Sequence, residues 1–191
     1  MPEYKYGEEV EYEFVLLKDC DGHKLKRFDC GNVKLNSFIQ NDIIQENAVV
    51  NEDGLMFKAE DKKTGDIVAI VSLAASGVIF NQTNYLKLLP AIKIDVFAVD
   101  VKYQKMHYNE ESANDSNPDN HFYLSDSIMG DVISHCNVIS EGFVLVDYIL
   151  LYADKKAYRF YERNFFLKFE PYMQEEKNME INKNIPMYMK L

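Results

Sequence analysis

A phenol, a carboxylate and a small residue recur at helical spacing near the end of this chain, where Asp154, Ala157 and Tyr161 stand at i, i+3 and i+7. At about 1.5 Å of rise per residue one helix face would carry all three over about 10 Å. A phenol of ordinary pKa, about 10, is protonated at neutral pH and can donate to a leaving group. Asp95 and Asp147 each interrupt an apolar strand-like run, where an unpaired charge is costly, so either is a candidate base. The alternative for each is a polar edge or a lysine partner. His107 and His121 bracket an acidic segment containing Glu110 and Asp119. Its composition is that of a solvated loop, which does not preorganise ligands, so no metal is expected. The three cysteines, Cys20, Cys30 and Cys136, form no Cys-x-x-Cys pair and read as small buried hydrophobes.

The elements that must position these residues follow from apolar periodicity. Residues 13–17 read as a strand, and a turn at Asp29-Cys30-Gly31-Asn32 leads into a helix over 33–44. Two β-rich runs, 54–60 and 67–73, flank a polar turn with Gly65 and form a hairpin. A Val/Ile-rich strand spans 92–101, followed by an exposed acidic loop at about 105–123. A helix runs from Leu124 to Val138 with Ser125 at its N-cap. Residues 143–151 are a strand, a short helix carries Tyr161, and an aromatic strand follows. The run 185–191 is an edge or closing strand, with Pro186 at its start. The order implies an α/β (α+β) fold, a mixed and mostly antiparallel central sheet with helices on both faces, in one domain over 1–191.

Charge and hydropathy narrow the function. The N-terminus lacks a basic-then-apolar leader and no apolar run reaches the length of a membrane span, so a cytoplasmic protein without membrane association is expected. The formal net charge of −10 disfavours a nucleic-acid-gripping surface and favours cationic partners such as amines.

Phe160-Tyr161-Glu162-Arg163-Asn164-Phe165-Phe166, after a strand and a small residue, resembles the signature of the GNAT superfamily of acyl-CoA-dependent N-acetyltransferases. Phe28-Asp29-Cys30-Gly31-Asn32-Val33-Lys34-Leu35-Asn36-Ser37-Phe38 is similar to the opening helix of its toxin-like subgroup, and Gly65 to Leu73 to the hairpin that follows. The resemblance implies an enzyme that transfers an acetyl group from acetyl-CoA to a primary amine in a ternary complex. Tyr161 would be the general acid toward the departing thiolate. Main-chain groups of Phe97, Ala98, Val99 and Val101 would hold the pantetheine arm, and Asp154 and Ala157 would stand beside the cofactor.

The chain departs from the family at the pyrophosphate loop. Gln104 is followed by Lys105-Met106-His107-Tyr108, with no glycine to let the backbone approach phosphate. Either amides of Ser125, Asp126 and Ser127 at a later helix N-terminus, with Lys102, Lys105 or His107, receive the phosphates, or the fold is kept as a non-catalytic binding or regulatory module. Asp126 counts against the first account. The acceptor is a small-molecule or protein amine; the subgroup suggests aminoacyl-tRNA, which the net charge disfavours. A homodimer is left open.

Overall fold

The computed structural model describes residues 4–42, 50–51, 54–82, 85–169 and 184–191. Its contacts separate into two compact units, Met1–Ser72 with Val96–Met129 and Leu73–Asp95 with Gly130–Leu191.

The first unit contains β1 (Tyr12–Leu16), β2 (Val50–Asn51), β3 (Gly54–Asp61), residues 67–72 of β4 (Ile67–Gln82) and residues 96–99 of β5 (Tyr85–Val99). Its strand order is β1-β3-β4-β5, with β2 also on β3 and the β1 and β2 ladders antiparallel. Period-two alternation sends neighbouring side chains to opposite faces. Ala98 and Met56 join a core with Leu25 of α1 (Gly22–Leu25) and Ile39, while Val99 and Ala59 join another with Tyr103, Leu124 and Ile128. Helices therefore cover both faces, as expected. α2 (Val33–Ser37) is capped by the Asn32 side chain and continues as a π turn over Phe38–Asp42; Ile43 and Ile44 of the expected helix lie outside the described residues.

Where the sequence implies a strand to residue 101, β5 stops at Val99. Val101 instead opens a helical turn, α3 (Val101–Gln104). The cause is Asp100, whose buried carboxylate accepts from the Lys102 N–H (3.0 Å) and from the Asp29 N–H (3.2 Å). The acidic segment 105–123 is also ordered rather than a plain loop. A β-bridge joins His107 to Tyr123, and α4 (Glu110–Asn114) and a 3-10 turn (Pro118–Asn120) are capped by the side chains of Asn109 and Asn117. Asparagine is preferred at N-caps because its short side chain reaches the first free amides.

The second unit holds the rest of β4 and β5, most of α5 (Leu124–Gly142), β6 (Tyr148–Ala153), α6 (Tyr158–Arg163), β7 (Leu167–Lys168) and β8 (Ile185–Lys190). Its order is β4-β5-β6-β8-β7, with β5 and β6 parallel and β8 antiparallel to both neighbours. The terminal run is thus an interior strand, since it is flanked on both sides; the two-residue β7 ends the order. β6 begins at Tyr148 because Phe143, Val144 and Leu145, expected in it, form an exposed turn after α5. α5 starts at Leu124, so Ser125 lies inside the helix rather than at its cap. No helix among the described residues is long and apolar enough to cross a membrane.

Replacing Asp100 by alanine leaves two amides without their acceptor in a buried position. It should lower unfolding stability by about 2 kcal/mol, and Asp100→Asn, which keeps one acceptor oxygen, by less; urea titration of the three proteins reads the difference.

Candidate active site

The parallel ladder between β5 and β6 runs from Ala91↔Tyr148 to Ile94↔Leu151 and ends there. β5 continues to Val99, beyond the last residue of that ladder. Strand edges bind extended chains through backbone hydrogen bonds. Phe97 is half-buried, and the side chains of Ala98 and Val99 are buried, so this edge offers backbone rather than side-chain chemistry.

Gln104 does not face outward for a ligand. Its amide donates to Val99 O (2.7 Å) and Cys30 O (2.9 Å), pinning the Cys30-Gly31-Asn32 turn to the end of β5. Gly31 there has φ +75, with Val101 Cγ1 3.3 Å from where a Cβ would sit, so only glycine suits both the conformation and the space. Lys105 is exposed at the end of α3, and Val101 is exposed on it.

Three of the first four amides of α5 are already taken. Leu124 N–H donates to Met106 O (2.9 Å), and those of Asp126 and Ser127 to Tyr123 O (3.0 and 3.3 Å), while the Asp126 carboxylate accepts from Tyr123 N–H (2.9 Å). Ser125 and Asp126 are both buried. The row of free amides expected to receive a diphosphate is not supplied, because the closed 105–123 segment has taken their place and an acid already complements the helix dipole. Next to it, His107 packs edge-on against His121 (4.9 Å) and near Tyr123 (4.7 Å), and its buried Nδ1 has no hydrogen-bond partner among the described residues. No cluster of three metal-ligating side chains occurs among the described residues.

The Tyr161 group belongs to the second unit. Its helix is shorter than the spacing suggests: residues 154–157 form a turn in which the Asp154 carboxylate accepts from Lys156 N–H (2.8 Å), and α6 starts at Tyr158 with Ala157 as N-cap. Tyr161 still hangs on this turn, its N–H donating to Ala157 O (3.2 Å). Phe160 and Phe166 meet its ring edge-on at 5.2 and 5.9 Å. The helix closes in a Schellman motif, Phe166 N–H to Tyr161 O (3.0 Å) and Phe165 N–H to Glu162 O (3.1 Å), with Phe165 at φ +68 where glycine is usual. Burial, and secondarily the Asp154 charge, pushes the Tyr161 phenol well above its ordinary value, so it stays protonated.

The remaining candidates divide. Asp95 is paired with Lys93 at 2.6 Å, which fits the ion-pair alternative. Asp147 is half-buried, its peptide fixed by Pro90 O (3.1 Å) and Leu191 N–H (3.0 Å). Of the cysteines only Cys136 is buried, its thiol pushed up to about 12; Cys20 is exposed, and Cys30 is half-buried with Sγ 3.0 Å from Asn36 Oδ1. One feature the whole-chain charge concealed is local: Lys155, Lys156, Arg159, Arg163 and Lys168 are all exposed within the Tyr161 segment, against Asp154 and Glu162. A short-window charge count would have found it.

No protein-family model matches the sequence, and no curated protein matches it. Solved structures do match in fold. A bacterial toxin superposes with TM-score 0.67 at 18% identity, over 95% of this chain and 91% of that one. AtaT complexed with acetyl-methionyl-tRNAfMet gives 0.64 at 16%, over 94% and 95%. A tyrosine-to-phenylalanine mutant of the AtaT toxin, bound to the C-terminus of the antitoxin AtaR and acetyl-CoA, gives 0.62 at 16%, over 94% and 93%. The chain shares the fold of these toxins. The GNAT-like architecture expected from the sequence is the one found, with the glycine loop replaced.

The phenols of Tyr161 and Tyr103 are both raised by burial, so above pH 10 the folded chain retains protons that the unfolded chain releases. Their contribution to stability is full below about pH 10 and falls as pH rises beyond it. Thermal melts from neutral to strongly alkaline pH should show that decline, and Tyr161→Phe should make it shallower.

Proposed function

We propose that the protein is an N-acetyltransferase that moves the acetyl group of acetyl-CoA to a primary amine by direct attack. The observation that carries this is the end of the β5–β6 ladder at Ile94, beyond which β5 continues alone of the two, in a fold whose neighbours include a toxin bound to acetyl-CoA. A pantetheine arm carries amide groups that can continue such a ladder. The neutral amine attacks the thioester carbonyl, the nitrogen gives up its extra proton to water, the C–S bond breaks as the tetrahedral intermediate collapses, and the thiolate takes a proton from a donor that water then reprotonates. Tyr161 is the proposed donor, since its buried phenol keeps its proton at every physiological pH. In support, the acetyl-CoA-bound AtaT carries a tyrosine-to-phenylalanine change.

For the acceptor we favour the α-amine of an aminoacyl-tRNA, acted on in the cytoplasm. AtaT is seen with acetyl-methionyl-tRNAfMet, and the exposed cations of residues 155–168 offer a local surface that a polyanion can approach despite the −10 total. The second reading, a non-catalytic module, draws on the occupied amides at the start of α5. A cosubstrate held there would depend on pantetheine contacts more than on its diphosphate.

Calorimetry with acetyl-CoA separates the two. Saturable one-to-one binding is expected, and no heat at millimolar ligand would sink the enzyme reading. In the turnover assay with radiolabelled acetyl-CoA and charged tRNA, Tyr161→Phe should lose about 100-fold or more in kcat, with acetyl-CoA affinity nearly unchanged. An equally active Tyr161→Phe would remove the phenol from the mechanism.

A further inference from the structure

β1 ends the strand order of its sheet, with β3 as its one neighbour in that order. In an antiparallel ladder, successive residues of a strand turn their N–H and C=O groups alternately toward the partner and away from it. At the two ends of β1, Lys62 N–H donates to Glu11 O and Leu17 N–H to Met56 O (2.9 Å each), in register with Tyr12↔Asp61 and Leu16↔Phe57. The odd-numbered residues therefore bond to β3, and the even-numbered ones turn their main-chain groups to the outer edge. Among the described residues, the outward N–H and C=O groups of Phe14 and Leu16 meet no other strand.

The two faces beside this edge differ in chemistry. Tyr12 and Phe14 are half-buried, meet edge-on at 5.9 Å and pack against the cluster of Val99, Tyr103 and Leu124. Leu16, on the same face by period-two alternation, is 43% exposed. The opposite face carries Glu11 and Glu13, both exposed, and Glu8 and Glu9 are exposed just before them. No lysine or arginine occurs from Tyr6 to Leu17. The residues of the first unit account for the whole formal charge of −10, since those of the second contain equal numbers of acidic and basic side chains.

We propose that the outer edge of β1 is a docking site for an extended, basic peptide segment of another protein, which adds to the sheet as one more strand. Its main chain bonds to Phe14 and Leu16, its apolar side chains lie beside Tyr12, Phe14 and Leu16, and its lysines or arginines lie beside Glu11 and Glu13. The charge of the unit steers such a segment toward the edge. The same charge selects against other occupants. A polynucleotide would be repelled, and the β1 of a second copy would bring the same acids against one another, which is how sheet edges avoid pairing with themselves. The site is independent of the chemistry at Tyr161, because none of its residues lies in the second unit.

Fluorescence anisotropy of the full chain with a short labelled peptide of alternating valine and lysine tests this. Saturable one-to-one binding that weakens with added salt is expected, and a peptide of alternating valine and glutamate should not bind at the same concentrations. Two further peptides, N-methylated at every valine or at every lysine, keep the charge and remove one set of amide donors. At least one of them should bind about tenfold more weakly or worse. Glu11→Lys combined with Glu13→Lys should also weaken binding about tenfold or more, and a thermal melt shows that this variant is folded; the methylated peptides need no variant. Affinity untouched by both methylations overturns strand addition, because charge alone would then hold the peptide. A wild type that ignores the lysine peptide, or binds the glutamate peptide equally well, overturns the proposal, and so does a folded double variant that binds like wild type.

Discussion

The turn from β5 into α3 depends on one buried carboxylate. Asp100 donates its own N–H to Val68 O (2.9 Å), accepts from Asp29 and Lys102 on its side chain, and its carbonyl accepts from Tyr103 N–H (2.9 Å) and Gln104 N–H (3.1 Å). A carboxylate 3% exposed is tolerated only when its oxygens are used in this way. The residue therefore ends the strand, starts a helical turn and anchors the loop at Asp29 in one step. Gln104 then folds back on Val99 and Cys30, so the backbone that in a glycine loop would open toward phosphate is drawn inward instead.

That inward turn decides what kind of anion site can exist. A helix N-terminus attracts phosphate through free N–H groups and a partial positive charge. Here the amides of Leu124, Asp126 and Ser127 already donate to Met106 and Tyr123 carbonyls, and Asp126 places a negative charge against the same end. The 105–123 segment closes through its own bridge and caps. Beyond Ile94, β5 carries one carboxylate, Asp95, which is paired with Lys93, and otherwise neutral residues up to Val99. An anion at this end of the sheet would meet exposed lysines such as Lys105 only weakly, because exposed pairs are screened.

Much of this was legible in the sequence, for identifiable reasons. The strands announced themselves through alternation, α5 through Leu124, Ile128 and Val132 at helical spacing, and Tyr161 through the aromatic segment around it. The boundaries were not, because they are set by partners distant in the chain: Asp29 lies 71 positions from Asp100. Residues 105–123 looked unstructured because hydrophobes are scarce, yet Asn109 and Asn117 are cap signals and could have been read as such. Phe165 gave no hint of its left-handed backbone, since the usual mark of that conformation is a glycine. The net charge hid a local feature, since a sum over 191 residues says nothing about five cations gathered in one segment.

Phe165 also bears on how such a site is held. The Schellman closure fixes the carbonyl of Tyr161 and packs Phe166 against its ring, and both features would survive with glycine at the left-handed position. The phenyl group is therefore not needed to orient the tyrosine. A penalty of about 1 kcal/mol or more is a noticeable share of the total stability of about 5–15 kcal/mol that folded domains have. The cost is carried by the surrounding turn, whose Schellman bonds and the packing of Phe166 on Tyr161 hold the left-handed position in place.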